Sequence, residues 1–453
     1  MRRFAIIHSS TPTAIEKRTV ATLSELLLDI NIEYPICLPY GTDIPEGYTP
    51  IYLREDKETL SVSEEYRISV KNEVITVSGY DSAGILYGAI DLFRIYLNPI
   101  FYVDATNNNR KRFDEPFADF ERTSRPSVKE RGIWTWGHVI YNYRGFIDNM
   151  VKMKMNSIII WNDHVPFNID EIISYAHDSN VKVILGYPWG WDQRCRDMSL
   201  SALDGLGDRI YERYLKEFAH LDIDGIYFQT ITELEDESLG GRLVAEVITD
   251  FVNDTVKRFY ESHPDLLIEF GLHATSVKNR LEFITKVDKR VRIVWEDFGA
   301  MPFSYNSTDI ENYEETKALA TRCATLRGAD DAFGIVPKSV CCLDWNEFVH
   351  PKGAQNIGVS SDRIRENRIA RKARVMRRAT TGWILNGDKA LDTVRSLIRA
   401  RGSDFSVNSL VEDGMLGVRI PYAVALFAEM LWDADADYKD IIGRVSLVDY
   451  VEL

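Results

Sequence analysis

From about residue 130 the chain alternates short apolar runs with longer segments whose apolar residues recur at helical spacing. The runs Gly132–Trp136, Ser157–Trp161, Val181–Tyr187, Gly225–Thr230, Leu266–Leu272, Val291–Trp295, Phe333–Leu343 and Gly382–Leu385 predict eight strands. Between them, Gly145–Met153, Ile169–Ser179, Gly207–His220, Leu243–Ser262 and Tyr313–Leu326 predict helices. Strands that read as unbroken apolar runs are covered on both faces, as in parallel sheets. Eight strand–helix units over about 260 residues match the size of a (β/α)8 TIM barrel. A doubly wound open sheet is the competing architecture, but no glycine-rich dinucleotide fingerprint follows the first strand.

The pattern before residue 125 is different. Phe4-Ala-Ile-Ile is a short strand, Ala14 to Ile30 has helical spacing, and Tyr34-Pro-Ile-Cys-Leu and Ile51-Tyr-Leu are further strands. Tyr66, Ile68 and Val70 alternate, Lys71-Asn72-Glu73 turns, and Val74 to Val77 returns, which predicts a hairpin. A helix follows from Ser82, with Gly84 and Gly88 allowing close packing. Residues 104–130 are polar and read as a connection. The expected organisation is a small α/β domain over 1–125, a barrel over 126–400 and a helical extension over 401–453. In that extension Tyr422 to Trp432 is an apolar helical run. The alternating acids that follow, Asp433 to Asp437, lack the glycine and distal glutamate of a calcium loop and predict a solvated turn.

A length of 453 residues exceeds what one ordinary core fills, in keeping with two domains. A formal net charge of −15 argues against sequence-independent nucleic-acid binding, which needs Lys and Arg against phosphates. No apolar run reaches the roughly 20 residues of a membrane span, and the start lacks a signal-peptide core. The expectation is therefore a cytoplasmic protein with neither nucleic-acid nor membrane partners. The five cysteines (Cys37, Cys195, Cys323, Cys341 and Cys342) have no Cys-x-x-Cys spacing and predict buried, inert thiols. The arginine-rich helix over 362–378 carries charge all round and reads as solvated.

The candidate chemistry gathers at the carboxyl ends of the predicted strands, where barrel enzymes carry their functional side chains. The run Asp224-Gly-Ile-Tyr-Phe-Gln-Thr-Ile-Thr-Glu233 ends in acids, of which Glu233 is the leading candidate. Asp236 and Glu237 are expected to start the next helix. Glu296 and Asp297 follow the sixth strand and Asp344 the seventh. Glycoside hydrolysis needs one carboxyl group to protonate the leaving oxygen and a second to activate water or attack carbon, and acids from different strand ends can face one another. Each acid has the alternative of capping a helix.

Eight of the nine tryptophans also fall at predicted strand ends: Trp134, Trp136, Trp161, Trp189, Trp191, Trp295, Trp345 and Trp383. With Asn162, His164, His273 and Asn386 between them, they predict a cleft that stacks on sugar rings and binds hydroxyls. Packing of the barrel mouth is the alternative. Lys338 and Arg144 are the cations considered for a sugar carboxylate.

The hairpin followed by Gly79-Tyr-Asp81-Ser-Ala-Gly84-Ile-Leu-Tyr-Gly88 resembles the small domain that precedes the barrel in family 67 α-glucuronidases and family 20 β-N-acetylhexosaminidases. The segment Gly225 to Glu233, with Phe228-Gln229 before the acid, resembles the family 67 strand that delivers the general acid. The resemblance implies a glycosidase with Glu233 as acid and an inverting course. It departs from family 20, where an Asp-Glu pair positions the acetamido group, because Thr232 stands before Glu233. The long helical C-terminal region of family 67 is mostly missing. Expected partners are an oligosaccharide or glycoside substrate, and a homodimer is one option for the oligomeric state. No Walker loop, nucleophile elbow or zinc motif is present, so neither cofactor nor metal is expected. A catalytically inactive carbohydrate-binding or regulatory barrel and a hexosaminidase-like enzyme are the alternative functions.

Overall fold

The computed structural model describes the chain apart from residues 1, 31–32, 103–114, 191–198, 235, 274–275, 297–312, 339–349, 359–365, 367–378, 412–414, 418, 449–450 and 453. It separates into two units, one of Met1–Pro126 with His177–Asn180 and Lys439–Tyr450, the other of Ser127–Ala176, Val181–Tyr438 and Val451–Leu453.

The first unit is built on six strands: β1 (Arg3–His8), β2 (Ile36–Pro39), β3 (Tyr48–Glu55), β4 (Tyr66–Lys71), β5 (Val74–Gly79) and β6 (Phe120–Ser124), in the order β2-β1-β3-β5-β4-β6. The expected hairpin is β4–β5, closing with Lys71 opposite Val74. Asn72 and Glu73 both adopt positive φ, 51° and 66°, the conformation that a two-residue turn between twisted strands requires. Helices α1 (Ala14–Ile30) and α2 (Ser82–Asp91) pack in this unit. Asp81 caps α2 by accepting the Gly84 amide.

In the second unit eight parallel strands close into a barrel: β7 (Glu130–Trp136), β8 (Ser157–Trp161), β9 (Lys182–Gly186), β10 (Gly225–Gln229), β11 (Leu267–His273), β12 (Val291–Glu296), β13 (Phe333–Val336) and β14 (Ser406–Leu410). Seven lie where the apolar runs predict them. The eighth does not: residues 379–386 are helical, and β14 comes from the segment expected to be an extension. The reason is that the inward residues of β14 are the small polar side chains Ser406 and Asn408, both fully buried, so the strand carries no apolar signature. Gly382–Leu385 is apolar, yet Leu385 faces solvent from its helix.

The barrel helices include α3 (Tyr143–Lys152), α4 (Ile169–His177), α5 (Leu206–Glu217), α6 (Val244–Ser262), α7 (Tyr313–Ala324) and α8 (Asp388–Arg401). Asn142 caps α3 by accepting the Gly145 amide, and α4 carries Asp170 and Glu171 in its first turn and His177 in its last, matching the helix dipole. Downstream, α9 (Tyr422–Trp432) is buried on every side, and Ser127 and Val128 donate their amides to its last carbonyls. The Asp433–Asp437 segment is a turn ahead of α10 (Tyr438–Ser446).

Successive strand residues point to opposite faces, so the barrel interior is layered. Its floor is ionic: Arg292 lies 2.7 Å from both Glu130 and Glu269, with Lys182 3.8 Å from Glu130. Burial pushes the Glu269 carboxyl up, whereas the Arg292 charge overcomes burial at Glu130 and holds that carboxyl down. Above the floor Trp134, Ile159, Ile184, Tyr227 and Val294 fill the middle. Cys323 is buried and its thiol is pushed up to about 12, while Cys37 is exposed, contrary to expectation, because β2 is an edge strand.

Candidate active site

At the carboxyl end of the barrel, inward parity brings together Tyr227 and Gln229 of β10, His273 of β11, Glu296 of β12 and Lys338 two residues past β13. Glu296 is 2 % exposed and is the hub. Its Oε1 accepts from the Tyr227 hydroxyl and from Gln229 Nε2 at 2.6 Å. Its Oε2 lies 2.9 Å from both His273 Nε2 and Lys338 Nζ, which are 3.1 Å apart. A carboxylate has about four lone-pair sites, and all four are taken.

Burial alone would raise the Glu296 carboxyl, but the electrostatic pull of His273 and Lys338, with hydrogen bonds from His273 and Tyr227, holds it well below the usual range. Burial and the Glu296 charge push the Tyr227 hydroxyl far up, so it stays a donor. Glu296 is therefore a fixed anion. Its contacts orient Gln229, His273 and Lys338 around the carboxylate. Gly271 opposes it: a Cβ there would collide with the Tyr227 hydroxyl and the Glu296 carboxylate, so the hub requires glycine.

The turn that delivers Glu233 is Ile231–Glu233, a single 3-10 turn directly after β10. Thr232, fully buried, fixes it: its Oγ1 accepts the His273 amide at 3.3 Å, and its carbonyl accepts the Ser276 hydroxyl at 3.0 Å. The backbone of Glu233 is thus held against the end of β11, next to the strand end that carries His273. The Glu233 side chain, Asp297, Asp344, Trp191 and Trp345 lie outside the described residues. Glu237 does not start a helix as expected. It receives Asn279 Nδ2 at 2.6 Å, and α6 begins later, at Val244.

The tryptophans divide by parity. Trp134, Trp136 and Trp161 point inward and pack on one another, with ring centroids 4.6 Å apart for Trp134–Trp136 and 5.9 Å for Trp134–Trp161. All three are buried, so they fill the mouth rather than offer open faces. Trp189, Trp295 and Trp383 correct the expectation of a sugar platform. All are fully buried: Trp189 is stacked on Phe228 at 3.8 Å, and Trp383 packs on Phe427 at 5.5 Å. Asn386 follows Trp383 on a helix, not at a strand end. Arg144 lies over the Tyr175 ring, 4.9 Å from its centroid, and takes no part in the hub.

Asn162 and His164 line a separate pocket beyond β8, and Asp163 there pairs with His350 at 2.7 Å. Tyr227 and His350 are not among the residues expected from the sequence, and Gln229 enters there only within the Phe228-Gln229 pair ahead of the acid. Two-residue spacing from Gln229 back to Tyr227 was the available signal, since both must then face inward. Among the described residues no three His, Cys, Asp or Glu side chains gather as a metal-binding group, and no helix is long and apolar enough to cross a membrane.

No protein-family model and no curated protein sequence matches the chain. Solved structures do. A GH20 chitobiase from Flavobacterium johnsoniae aligns with TM-score 0.57 at 12% identity over 98% of this chain and 68% of its own. A β-N-acetylhexosaminidase from Bacteroides fragilis aligns with TM-score 0.55 at 14% identity over 98% and 90%. A GH138 enzyme targeting pectin rhamnogalacturonan II aligns with TM-score 0.53 at 15% identity over 98% of this chain and 52% of its own, so the chain spans about half of that protein's length. At these identities the likeness is one of fold.

Proposed function

We propose that the chain is a glycoside hydrolase acting on oligosaccharides, with Glu233 as general acid. The observation that carries this is the Thr232 clasp, which holds the Glu233 backbone at the barrel rim beside a prearranged anion-and-donor hub. Folds of this kind serve the glycoside hydrolases among its structural neighbours; fold alone does not fix function, and the rim residues carry the argument. In the reaction Glu233 gives its proton to the glycosidic oxygen as the bond to the anomeric carbon breaks. Water adds its oxygen to that carbon, and its proton passes to the partner carboxylate. Glu296, saturated by four donors, is a positioning residue. The partner role passes to Asp297 or Asp344.

Action on a glucuronide is the finer version of this reading. Lys338, the cation that a uronate would meet, already neutralises Glu296 at 2.9 Å, which favours a neutral sugar. A hexosaminidase is the second reading, favoured by the fold likeness to two enzymes of that class. Thr232 weighs against it, because it stands, fully buried, before Glu233 in place of the Asp that family 20 enzymes carry there.

A panel of 4-nitrophenyl glycosides and natural oligosaccharides tests the proposal. At least one compound should be hydrolysed by the wild type and spared by Glu233→Gln. Turnover unchanged in that variant, or sugar binding without turnover of any compound, would reject it. Inhibition by a thiazoline mimic of a cyclised acetamido intermediate would move the assignment to the hexosaminidase reading.

A further inference from the structure

Beneath the rim, the barrel floor sets two carboxyl groups against one guanidinium. Arg292 is committed to Glu130 at two points, Nη1 to Oε2 at 2.9 Å and Nη2 to Oε1 at 2.7 Å. Glu269 shares the Nη1 already in use, 2.7 Å from its Oε1. Its Oε2 is buried and takes part in no hydrogen bond, and the residue has no exposed surface.

The other groups packed around Glu269 do not alter this count. Tyr227 on β10 pairs with it in register, and the tyrosine hydroxyl stays neutral. Lys182 on β9 pairs with Glu130 at 3.8 Å and is 48% exposed, so solvent screens it. Ser157 on β8 is in register with Lys182, Ser406 on β14 with Glu130, and Gly334 on β13 with Ser406; none carries a charge. Lys129 and Arg401 act on Glu130 and Arg292.

With both acids ionised, the floor would hold an uncompensated negative charge in a site closed to water. A buried carboxyl in that position neutralises by taking a proton, and of two carboxyls sharing one site only one stays readily ionised. Glu130 has the two-point contact, so the proton falls to Glu269. Burial, opposed by the Arg292 charge and aided by that of Glu130, lifts the Glu269 carboxyl above the usual range in agreement with this count.

We infer that Glu269 holds a proton at neutral pH and is an alkaline release in the barrel floor. When the proton leaves to solvent base, an unmatched charge appears in the layer below the rim and the barrel loosens. An acid raised in this way stabilises fully below its unfolded value, about pH 4.3, and loses that contribution as pH rises toward the folded value. The sign is opposite to that at Glu296, and the inference stands apart from the chemistry proposed for the rim.

The test is infrared spectroscopy of the full chain, isotope-labelled at the glutamate carboxyl carbon, at pH 7. The wild type should show the carbonyl band of a protonated glutamic acid, and Glu269→Gln, which keeps an oxygen for Arg292, should lose it. Urea unfolding is the second readout. Between pH 5 and 7 the wild-type unfolding constant should rise tenfold or more relative to that of the variant, because a difference of one bound proton shifts it by about tenfold per pH unit. A wild type without the band, a band that persists in the variant, or a ratio that changes by less than tenfold overturns the inference. If the variant does not fold, the presence or absence of the wild-type band decides.

Discussion

Lys338 Nζ lies 2.9 Å from Glu296 Oε2, and both side chains are buried at the barrel rim. Removing the Glu296 charge leaves the Lys338 ammonium buried without its counter-ion. Loss of one partner of a buried ion pair costs about 3–5 kcal/mol. Glu296→Gln is accordingly expected to lose about that much unfolding free energy in urea at pH 7. A loss of less than about 1 kcal/mol, the scale of a solvated pair, contradicts a buried hub.

The same carboxyl gives stability a pH dependence of known sign. Its folded pKa lies below its unfolded value, so it stabilises above the unfolded value and loses that contribution as pH falls toward the folded one. Below about pH 4.3 the stability difference between wild type and Glu296→Gln should shrink by about 1.4 kcal/mol per pH unit. Urea midpoints of both proteins across pH 3–8 check this, and a difference that stays constant down to pH 3 would count against it.

A methyl group at position 271 is the smallest perturbation of the hub. It would displace the Tyr227 hydroxyl from Glu296. Overpacking of this kind costs about 1–3 kcal/mol, whereas Gly→Ala at an unstrained site stabilises by about 0.4–1 kcal/mol. Gly271→Ala should therefore lower the urea midpoint, and a raised midpoint contradicts the packing described.

Trp189 separates core from cleft. It stacks on Phe228 at 3.8 Å and on Phe259 at 5.4 Å, with no exposed surface. Trp189→Ala should cost about 3–5 kcal/mol of stability. The milder Trp189→Phe should leave sugar affinity within twofold, measured by calorimetry; a tenfold loss would restore Trp189 to the binding surface.

The barrel was legible because seven of its strands contain short apolar runs, as at Ile158–Ile160 and Val183–Leu185. The eighth was not, because Ser406 and Asn408 put polar atoms into the interior. Position along a strand also misled: Trp295 and Glu296 are neighbours in sequence, yet parity sends one outward into the core and the other inward to the hub. Glu296 was legible as an acid at a strand end, but its surroundings were not. Nothing in the local sequence shows that Tyr227, Gln229, His273 and Lys338, drawn from three other strand ends, would saturate it.

Glu233 as proton donor is the central claim, and a leaving-group series tests it most directly. A general acid matters most when the departing oxygen is basic and hardly at all when it leaves as a stable anion. With the aryl glycosides of whichever sugar is cleaved, Glu233→Gln should lose about 10²–10⁴-fold in kcat/KM for weakly acidic phenols, and should approach wild type for the 2,4-dinitrophenyl glycoside. An equal loss for every leaving group, or no loss for any, contradicts the assignment.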